Sequence, residues 1–187
     1  MSSDDSLPDS DADASARKAQ TRDAFALILA KLGRRDHTEK ELERALLRKE
    51  YPPEAIEIAI GRAKREGLVN DVRLAGVIAR ITARSGKRGP RKVVATLRQK
   101  GVCAELAQAA TKEAFSSTDE GEENTIRFVT RLLERARGET AKDKRIRVLR
   151  SLLTRGFELD EARRVVRIAE NALMTENASD DDVNSGE

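Results

Sequence analysis

The sequence has few of the side chains on which enzymes depend. Among its 187 residues there is one cysteine, one histidine and no tryptophan. A lone cysteine, Cys103, leaves no internal disulfide and no cysteine cluster for zinc, and His37 lies in the polar segment RRDHTEKE. We find no glycine-rich phosphate-binding motif and no metal-ligand spacing. The sequence therefore predicts a protein that is not an enzyme and that uses no cofactor or metal.

Aromatic residues and long apolar runs are also scarce. The aromatic residues are too few and too scattered for a base-stacking platform, which disfavours an OB-fold or an RRM; they are Phe25, Tyr51, Phe115, Phe128 and Phe157. The longest apolar run, AFALILA at 24–30, is far shorter than the roughly 18 residues of a membrane span. The N-terminus has no apolar core of a signal peptide. We expect a cytoplasmic protein without membrane contact.

Acidic residues are absent from the stretch between Val72 and Ala104, which contains nine basic residues. By contrast, residues 1–16 and residues 176–187 each contain five acidic residues and no basic one. Without these ends the formal net charge of +3 rises to +13 for residues 17–175. Both ends are polar and acidic, so we predict that they are disordered tails.

The acid-free stretch contains a cationic amphipathic helix. Gly89 and Pro90 are typical of a helix start, because proline at the first helical position loses no backbone hydrogen bond. Val93 and Leu97 fall on one side of this helix, the basic residues fall on the other, and Gly101 ends it. We expect the free N–H groups of the helix start, flanked by basic residues, to bind phosphate. The alternative is an ordinary solvated helix face.

Helical periodicity continues through nearly the whole chain, and no segment alternates convincingly with the period of a strand. Nine helices are predicted. The first spans Thr21 to Gly33, and the fourth turns Leu74, Val77, Ile78 and Ile81 inward. SSTDEGEEN at 116–124 forms a polar loop and the N-cap region of the seventh helix.

Three windows align without gaps, at residues 41–60, 92–111 and 147–166. Both helices and the turn between them match in each window, so chance is a poor explanation. We predict three tandem three-helix repeats at 17–69, 70–116 and 117–175 that form an elongated, curved, solenoid-like body. By repeat symmetry, the bases of the second and third repeats would line a common side. The candidate DNA- or filament-binding residues are Arg84, Lys87, Arg88, Arg91, Lys92, Arg98, Lys100, Lys144, Arg145 and Arg147.

Three ordered sets of residues resemble the RecX family, the bacterial regulators of the RecA recombinase. The first repeat matches the family's R-x-x-S-x-x-EL opening with Arg35, Thr38, Glu41 and Leu42. The second is similar to its G-L-x-D-D entry at 67–71 and to its G-P and L-x-x-K-G-I elements at 89–90 and 97–102. The third has the R-G-F element at 155–157. Departures from the family pattern are Leu74, Thr96 and Glu158.

The resemblance implies three tandem three-helix repeats and a non-enzymatic protein that binds the RecA filament on DNA. It also implies inhibition of strand exchange, ATP hydrolysis and coprotease function, and hence a part in homologous recombination, DNA repair and the SOS response. We expect the protein to be a monomer. The sequence does not assign one surface to the recombinase and another to DNA. It also leaves open whether the protein inhibits or stimulates the recombinase.

Two other functions remain compatible with the residues alone. One is a sequence-tolerant DNA-binding helical repeat of the transcriptional or architectural type. Against it, no helix shows the mixture of Asn, Gln and Arg that is typical of base-edge recognition. The other is a helical scaffold that binds only protein.

Overall fold

A computed structural model describes residues 10–116, 119–138 and 140–183. These residues form nine α-helices and no strand, which confirms the all-α prediction. The helices are α1 (Ser10–Leu32), α2 (Glu39–Leu47), α3 (Pro53–Arg65), α4 (Asp71–Ser85), α5 (Pro90–Gln99), α6 (Ala104–Ser116), α7 (Asp119–Arg135), α8 (Ala141–Thr154) and α9 (Leu159–Val183).

Each set of three consecutive helices encloses a hydrophobic core of its own. The first core centres on Ile28, Leu42 and Leu46, and the second on Val93 and Leu97. The third contains Leu152, Phe157 and Val166, among others. The three-helix repeats predicted from the sequence are thereby confirmed. Contacts group the repeats into two compact units that divide between Leu74 and Ala75, so the second and third repeats belong to the same unit.

The turn after the second helix is the same in all three repeats. The N–H groups of Tyr51, Val102 and Phe157 donate to the carbonyl oxygens of Leu46, Leu97 and Leu152, at N···O distances of 3.3, 3.1 and 3.1 Å. These are the bonds of a Schellman motif, which needs a left-handed residue just before the donor. That residue is Glu50, Gly101 or Gly156, with φ angles of 61°, 94° and 87°. The repeat register read from the sequence is therefore correct at the level of single hydrogen bonds.

Glu50 is the one described non-glycine residue with positive φ, and a left-handed backbone costs such a residue roughly 1–2 kcal/mol. We expect Glu50→Gly to raise the free energy of unfolding by about 0.5–1 kcal/mol, since the greater freedom of glycine in the unfolded chain offsets part of the gain. Chemical denaturation followed by circular dichroism measures this. Lys49→Gly, one residue earlier where φ is not positive, is the control and should destabilise. An equal decrease in the free energy of unfolding in both variants would contradict the prediction.

Helix extends into both segments that we predicted to be disordered tails. α1 begins at Ser10 rather than Thr21, so residues 10–16 are helical. Alanines favour this extension, and aspartates in a first turn interact well with the helix dipole. α9 continues to Val183, so residues 176–183 are helical too. A helix forms its backbone hydrogen bonds within one segment, so this extension needs no hydrophobic core. The remaining tail residues, 1–9 and 184–187, lie outside the described residues.

The inward side of α4 differs from the prediction. The buried row consists of Ala75, Ala79 and Ala83, which pack into the second core. Leu74 is also buried, Val77 and Ile78 are half-buried, and Ile81 is 67% exposed. α4 has two apolar rows, and hydrophobicity alone favours the row with the larger side chains.

The polar segment predicted as a loop at 116–124 is also helical from Asp119 onward. It forms the start of α7, whose first turn contains Asp119, Glu120 and Glu122. Acidic residues in a first turn are stabilised by the positive end of the helix dipole. The loop part of the prediction is therefore wrong for residues 119–124, whereas the helix start expected in the same segment lies there. Residues 117–118 lie outside the described residues.

Candidate nucleic-acid interface

The start of the cationic helix α5 rests against the turn between α8 and α9. The N–H of Gly89 donates to the carbonyl of Arg155 at 3.0 Å, and the N–H of Arg91 donates to that of Gly156 at 3.1 Å. A Cβ on Gly89 would lie 2.4 Å from the carbonyl carbon of Gly156, and one on Gly156 would lie 2.4 Å from the backbone nitrogen of Lys92. Only glycine fits at both positions, so the second and third repeats are joined by direct backbone contact.

This contact removes the phosphate site that we predicted at the start of α5. The N–H of Arg91 is bonded to Gly156, while those of Lys92 and Val93 are bonded to the carbonyl of Gly89. Pro90 has no N–H group. No N–H group in the first turn of α5 is left for an anion, and that part of the prediction is wrong. The partner carbonyl lies 65 residues along the chain, so no local pattern could reveal it.

A second contact fixes the other end of the joint between these repeats. Gly86 has φ of +65°, and a Cβ there would lie 2.4 Å from the backbone nitrogen of Thr125 in α7. The amide of Asn124 donates to the carbonyl of Arg84 at 2.7 Å. The segment that carries Lys87 is thus held between two glycine contacts.

Among the described residues, at least three of the predicted binding residues form ion pairs. Arg84 pairs with Glu120 at 2.9 Å, Arg91 pairs with Glu158 at 2.5 Å, and Arg145 pairs with Glu170. The first two join the second and third repeats, so they contribute to the joint before any ligand is bound. Glu158 is one of the departures from the family pattern. In the sequence, this departure was the feature that pointed to a partner for Arg91.

Other predicted residues stay open to a ligand. They are exposed and form no ion pair with any acidic residue that the structure describes: Lys87, Arg88, Lys92, Arg98 and Arg147. Lys100 and Lys144 are half-buried. Lys87, Arg88 and Lys92 surround the joint, and Arg98 lies six residues, about 9 Å, further along α5. We call Lys87, Arg88, Lys92 and Arg98 the α5 cation cluster.

The third-repeat bases do not share one side of α8. Arg145 reaches α9, where Glu170 binds it through two hydrogen bonds. Arg147 lies two residues later, about 160° away around the helix. The common side that repeat symmetry suggested therefore does not include Arg145. The hydrogen bonds to Glu170, and then the charge of that carboxylate, raise the pKa of Arg145.

A small cavity of about 100 Å³ lies beside the joint, lined in part by Phe115, Thr125 and Glu161. Burial raises the pKa of Glu161, and the nearby Arg164 opposes this effect. Arg164 pairs with Glu122 on α7 at 2.5 Å. The Arg164–Glu122 ion pair joins α9 to α7.

No group of three or more His, Cys, Asp or Glu residues that could hold a metal ion occurs in the described part of the chain. Among the described helices, none combines the length and the apolar character needed to cross a membrane.

Comparison with known proteins identifies the family. Family models described as the first and second three-helix domains of RecX match residues 24–62 and 70–110. The "Regulatory protein RecX" of Pelodictyon phaeoclathratiforme is 31% identical over 159 residues, which cover 85% of this chain and 94% of that protein. The chain belongs to the RecX family. The RecX protein of Streptomyces coelicolor is 34% identical over 165 residues, 84% of each chain.

Solved structures of RecX proteins have the same fold. The crystal structure of RecX from Lactobacillus salivarius matches with a TM-score of 0.72 at 22% identity, over 82% of this chain and 98% of that one. A second structure, of a regulatory protein RecX, matches with a TM-score of 0.75 at 21% identity, over 85% and 79%. At this level of identity the likeness supports the RecX fold of the chain, and the sequence relatives make it a regulatory protein of that family.

Proposed function

We propose that this RecX-family protein binds a RecA-type recombinase filament on DNA and suppresses its ATP hydrolysis, strand exchange and coprotease function. The observation that carries the proposal is the α5 cation cluster in a chain of this family. Its four bases are exposed and unpaired among the described residues, and three of them surround a joint that two glycine contacts hold in place. The backbone that carries Lys87, Arg88 and Lys92 is therefore held in place before a polyanion binds.

The cluster suits the phosphate backbone rather than the bases. Lysine and arginine at exposed positions neutralise phosphates irrespective of sequence. Free DNA offers such phosphates everywhere, so charge alone selects no partner. The family relationship supports the filament as the target, in which DNA and recombinase lie side by side. Contacts to neighbouring filament subunits would oppose the rearrangements that ATP turnover and strand exchange require.

The proposed activity is regulation by binding, without a catalytic step. Its setting is homologous recombination and DNA repair in the cytoplasm, with the protein acting as a monomer. The test is ATP hydrolysis by a RecA-type recombinase on single-stranded DNA while this protein is titrated in. We expect hydrolysis to fall, and unchanged or increased hydrolysis would contradict the proposal.

A second candidate is a DNA-binding repeat of the transcriptional type. Recognition helices of that type place their N-terminal residues against base edges in the major groove. In this protein the start of α5 is covered by the carbonyl groups of Arg155 and Gly156, which disfavours that geometry for the most basic helix. Strong preference for one DNA sequence would nevertheless support this candidate over the first.

DNA binding itself should depend on the unpaired cations. If about six phosphates of duplex DNA are neutralised, the slope of log K against log salt concentration should be about −5. Lys92→Ala with Arg98→Ala should flatten the slope by about two units, since each lost phosphate contact removes about 0.9. Fluorescence anisotropy with a labelled duplex at several salt concentrations measures this.

The matched control is Arg84→Ala with Arg91→Ala. It removes the same charge from the same region, but Glu120 and Glu158 already pair with these arginines. We expect its slope to change by less than about one unit. Equal slopes for the two double variants would show that the ion pairs do not decide which bases meet DNA.

A further inference from the structure

The third repeat has a groove between α8 and α9 that the proposed DNA contacts do not use. Its volume is about 480 Å³. Leu149 and Val166 form its apolar part, and six of its eight lining residues are charged. Four of these are arginines, against the two acids Asp160 and Glu170, so the groove has an excess of positive charge. The arginines are Arg145, Arg163, Arg164 and Arg167.

The same groove in the first repeat has the opposite charge pattern. It lies between α2 and α3 and is lined by three glutamates and two bases. In the gap-free repeat register Glu39 corresponds to Arg145, and Lys64 corresponds to Glu170. Glu39 pairs with Lys64 at 2.8 Å, so the ion pair across the groove is kept while its polarity is reversed. The basic groove is therefore a property of the third repeat rather than a consequence of the fold.

Exposed aliphatic side chains continue the apolar part of this groove. Ile146, Leu149 and Leu153 share one side of α8, at the spacing i, i+3 and i+7. Leu159 shares a side of α9 with Val166 in the same way. Ile146 is 38% exposed, Leu153 42% and Leu159 41%. The phosphates of a nucleic-acid backbone would match the arginines but would leave the apolar strip uncovered. An acidic amphipathic helix matches both, because it has carboxylates for the arginines and an apolar face for the strip.

Two arginines are available for a partner's carboxylates. Arg145 is held by Glu170 and Arg164 by Glu122. Arg163 lies 3.9 Å from its neighbour Asp160, a loose contact on the surface. Arg167 is exposed and pairs with no described acidic residue. Because Arg145 already binds a carboxylate across this groove, guanidinium groups here are placed to do the same for an incoming acidic side chain.

We propose that the α8–α9 groove is a docking site for an acidic amphipathic helix of a protein partner. Leucine-like side chains of that helix cover Ile146, Leu149 and Leu153, and its carboxylates meet Arg163 and Arg167. The α5 cation cluster belongs to other elements of the fold. The groove therefore adds a protein contact to the proposed DNA contact and does not depend on it.

The test measures fluorescence anisotropy of a labelled peptide with the full chain. The probe is a synthetic helix of about 18 residues, or five turns, with leucines at i, i+3 and i+7 and glutamates at most other positions. A peptide of the same composition with the leucines scattered has equal charge but no apolar stripe. We expect the scattered peptide to bind at least about fivefold more weakly, because its apolar contacts are lost.

Charge reversal locates the site. Arg163→Glu with Arg167→Glu should weaken probe binding at least about tenfold and change the binding of a single-stranded oligonucleotide less than twofold. Lys18→Glu with Lys112→Glu makes the same charge change at exposed positions on α1 and α6, and it should leave probe binding within about twofold. If the reversal variant does not fold by circular dichroism, Arg163→Gln with Arg167→Gln replaces it.

Three results would overturn the proposal. The first is unchanged probe affinity in both arginine variants. The second is an equal loss in the α1 and α6 control, which would mean attraction by net charge alone. The third is a loss of oligonucleotide binding as large as the loss of probe binding, which would make the groove a nucleic-acid site.

Discussion

Alanine in place of Gly156 should lower the free energy of unfolding by about 2–5 kcal/mol. A left-handed backbone accounts for roughly 1–2 kcal/mol of this, since Gly156 has φ of +87°. Overpacking adds about 1–3 kcal/mol, because the new Cβ would lie 2.4 Å from the backbone nitrogen of Lys92. A backbone atom cannot turn aside as a flexible side chain can, so the second and third repeats would have to separate locally.

Gly67 provides a matched control. Its φ is +71°, yet a Cβ there would have no atom within 4 Å. Gly67→Ala should therefore show only the backbone term, roughly 1–2 kcal/mol. The difference in the free energy of unfolding between Gly156→Ala and Gly67→Ala therefore measures the contribution of the contact between the repeats.

Gly89→Ala tests that contact from its other side. Gly89 does not have positive φ, but its Cβ would lie 2.4 Å from Gly156, so it should lose about 1–3 kcal/mol through packing alone. Urea denaturation followed by circular dichroism measures all three variants. If Gly89→Ala and Gly156→Ala were no worse than Gly67→Ala, the backbone contact would not contribute to stability.

Local patterns were enough to predict the repeats. The turn after the second helix depends on residues within six positions of one another, such as Leu97, Gly101 and Val102, and its hydrogen bonds follow from those residues alone. The capping box that begins α2 is likewise local: the N–H of Glu41 donates to the side chain of Thr38, and the N–H of Thr38 donates to that of Glu41. The turn was predicted correctly because one stretch of chain contains both partners of its hydrogen bonds.

The candidate site was harder to predict because contacts between repeats determine which of its basic side chains are paired. Arg91 and Lys92 are neighbours with equal formal charge, yet Glu158 binds one of them and no described acid binds the other. Glu158 is 67 residues further along the chain, and periodicity within a helix cannot place it. The covered start of α5 has the same cause. A charge pattern thus locates a basic region but does not tell which of its bases are open to a ligand.

The largest functional effect should be on a recombinase filament that has already formed. Added to RecA-type filaments on single-stranded DNA, this protein should suppress ATP hydrolysis at amounts well below those needed to coat the DNA. Suppression should persist when a large excess of duplex DNA is added afterwards. A protein that acts only by occupying DNA would be drawn to the excess duplex, because phosphate contacts are alike on any sequence.

Variants of the α5 cation cluster connect this effect to the structure. Lys92→Ala with Arg98→Ala should raise the concentration for half-suppression at least about tenfold, which is about 1.4 kcal/mol, since two exposed phosphate contacts are lost. Arg84→Ala with Arg91→Ala should remain within about threefold of the unaltered protein, because surface ion pairs contribute little. Loss of suppression with excess duplex would reject the filament as target and favour the DNA-binding repeat. If suppression persisted but the two double variants were equally active, the filament contact would lie outside the α5 cation cluster.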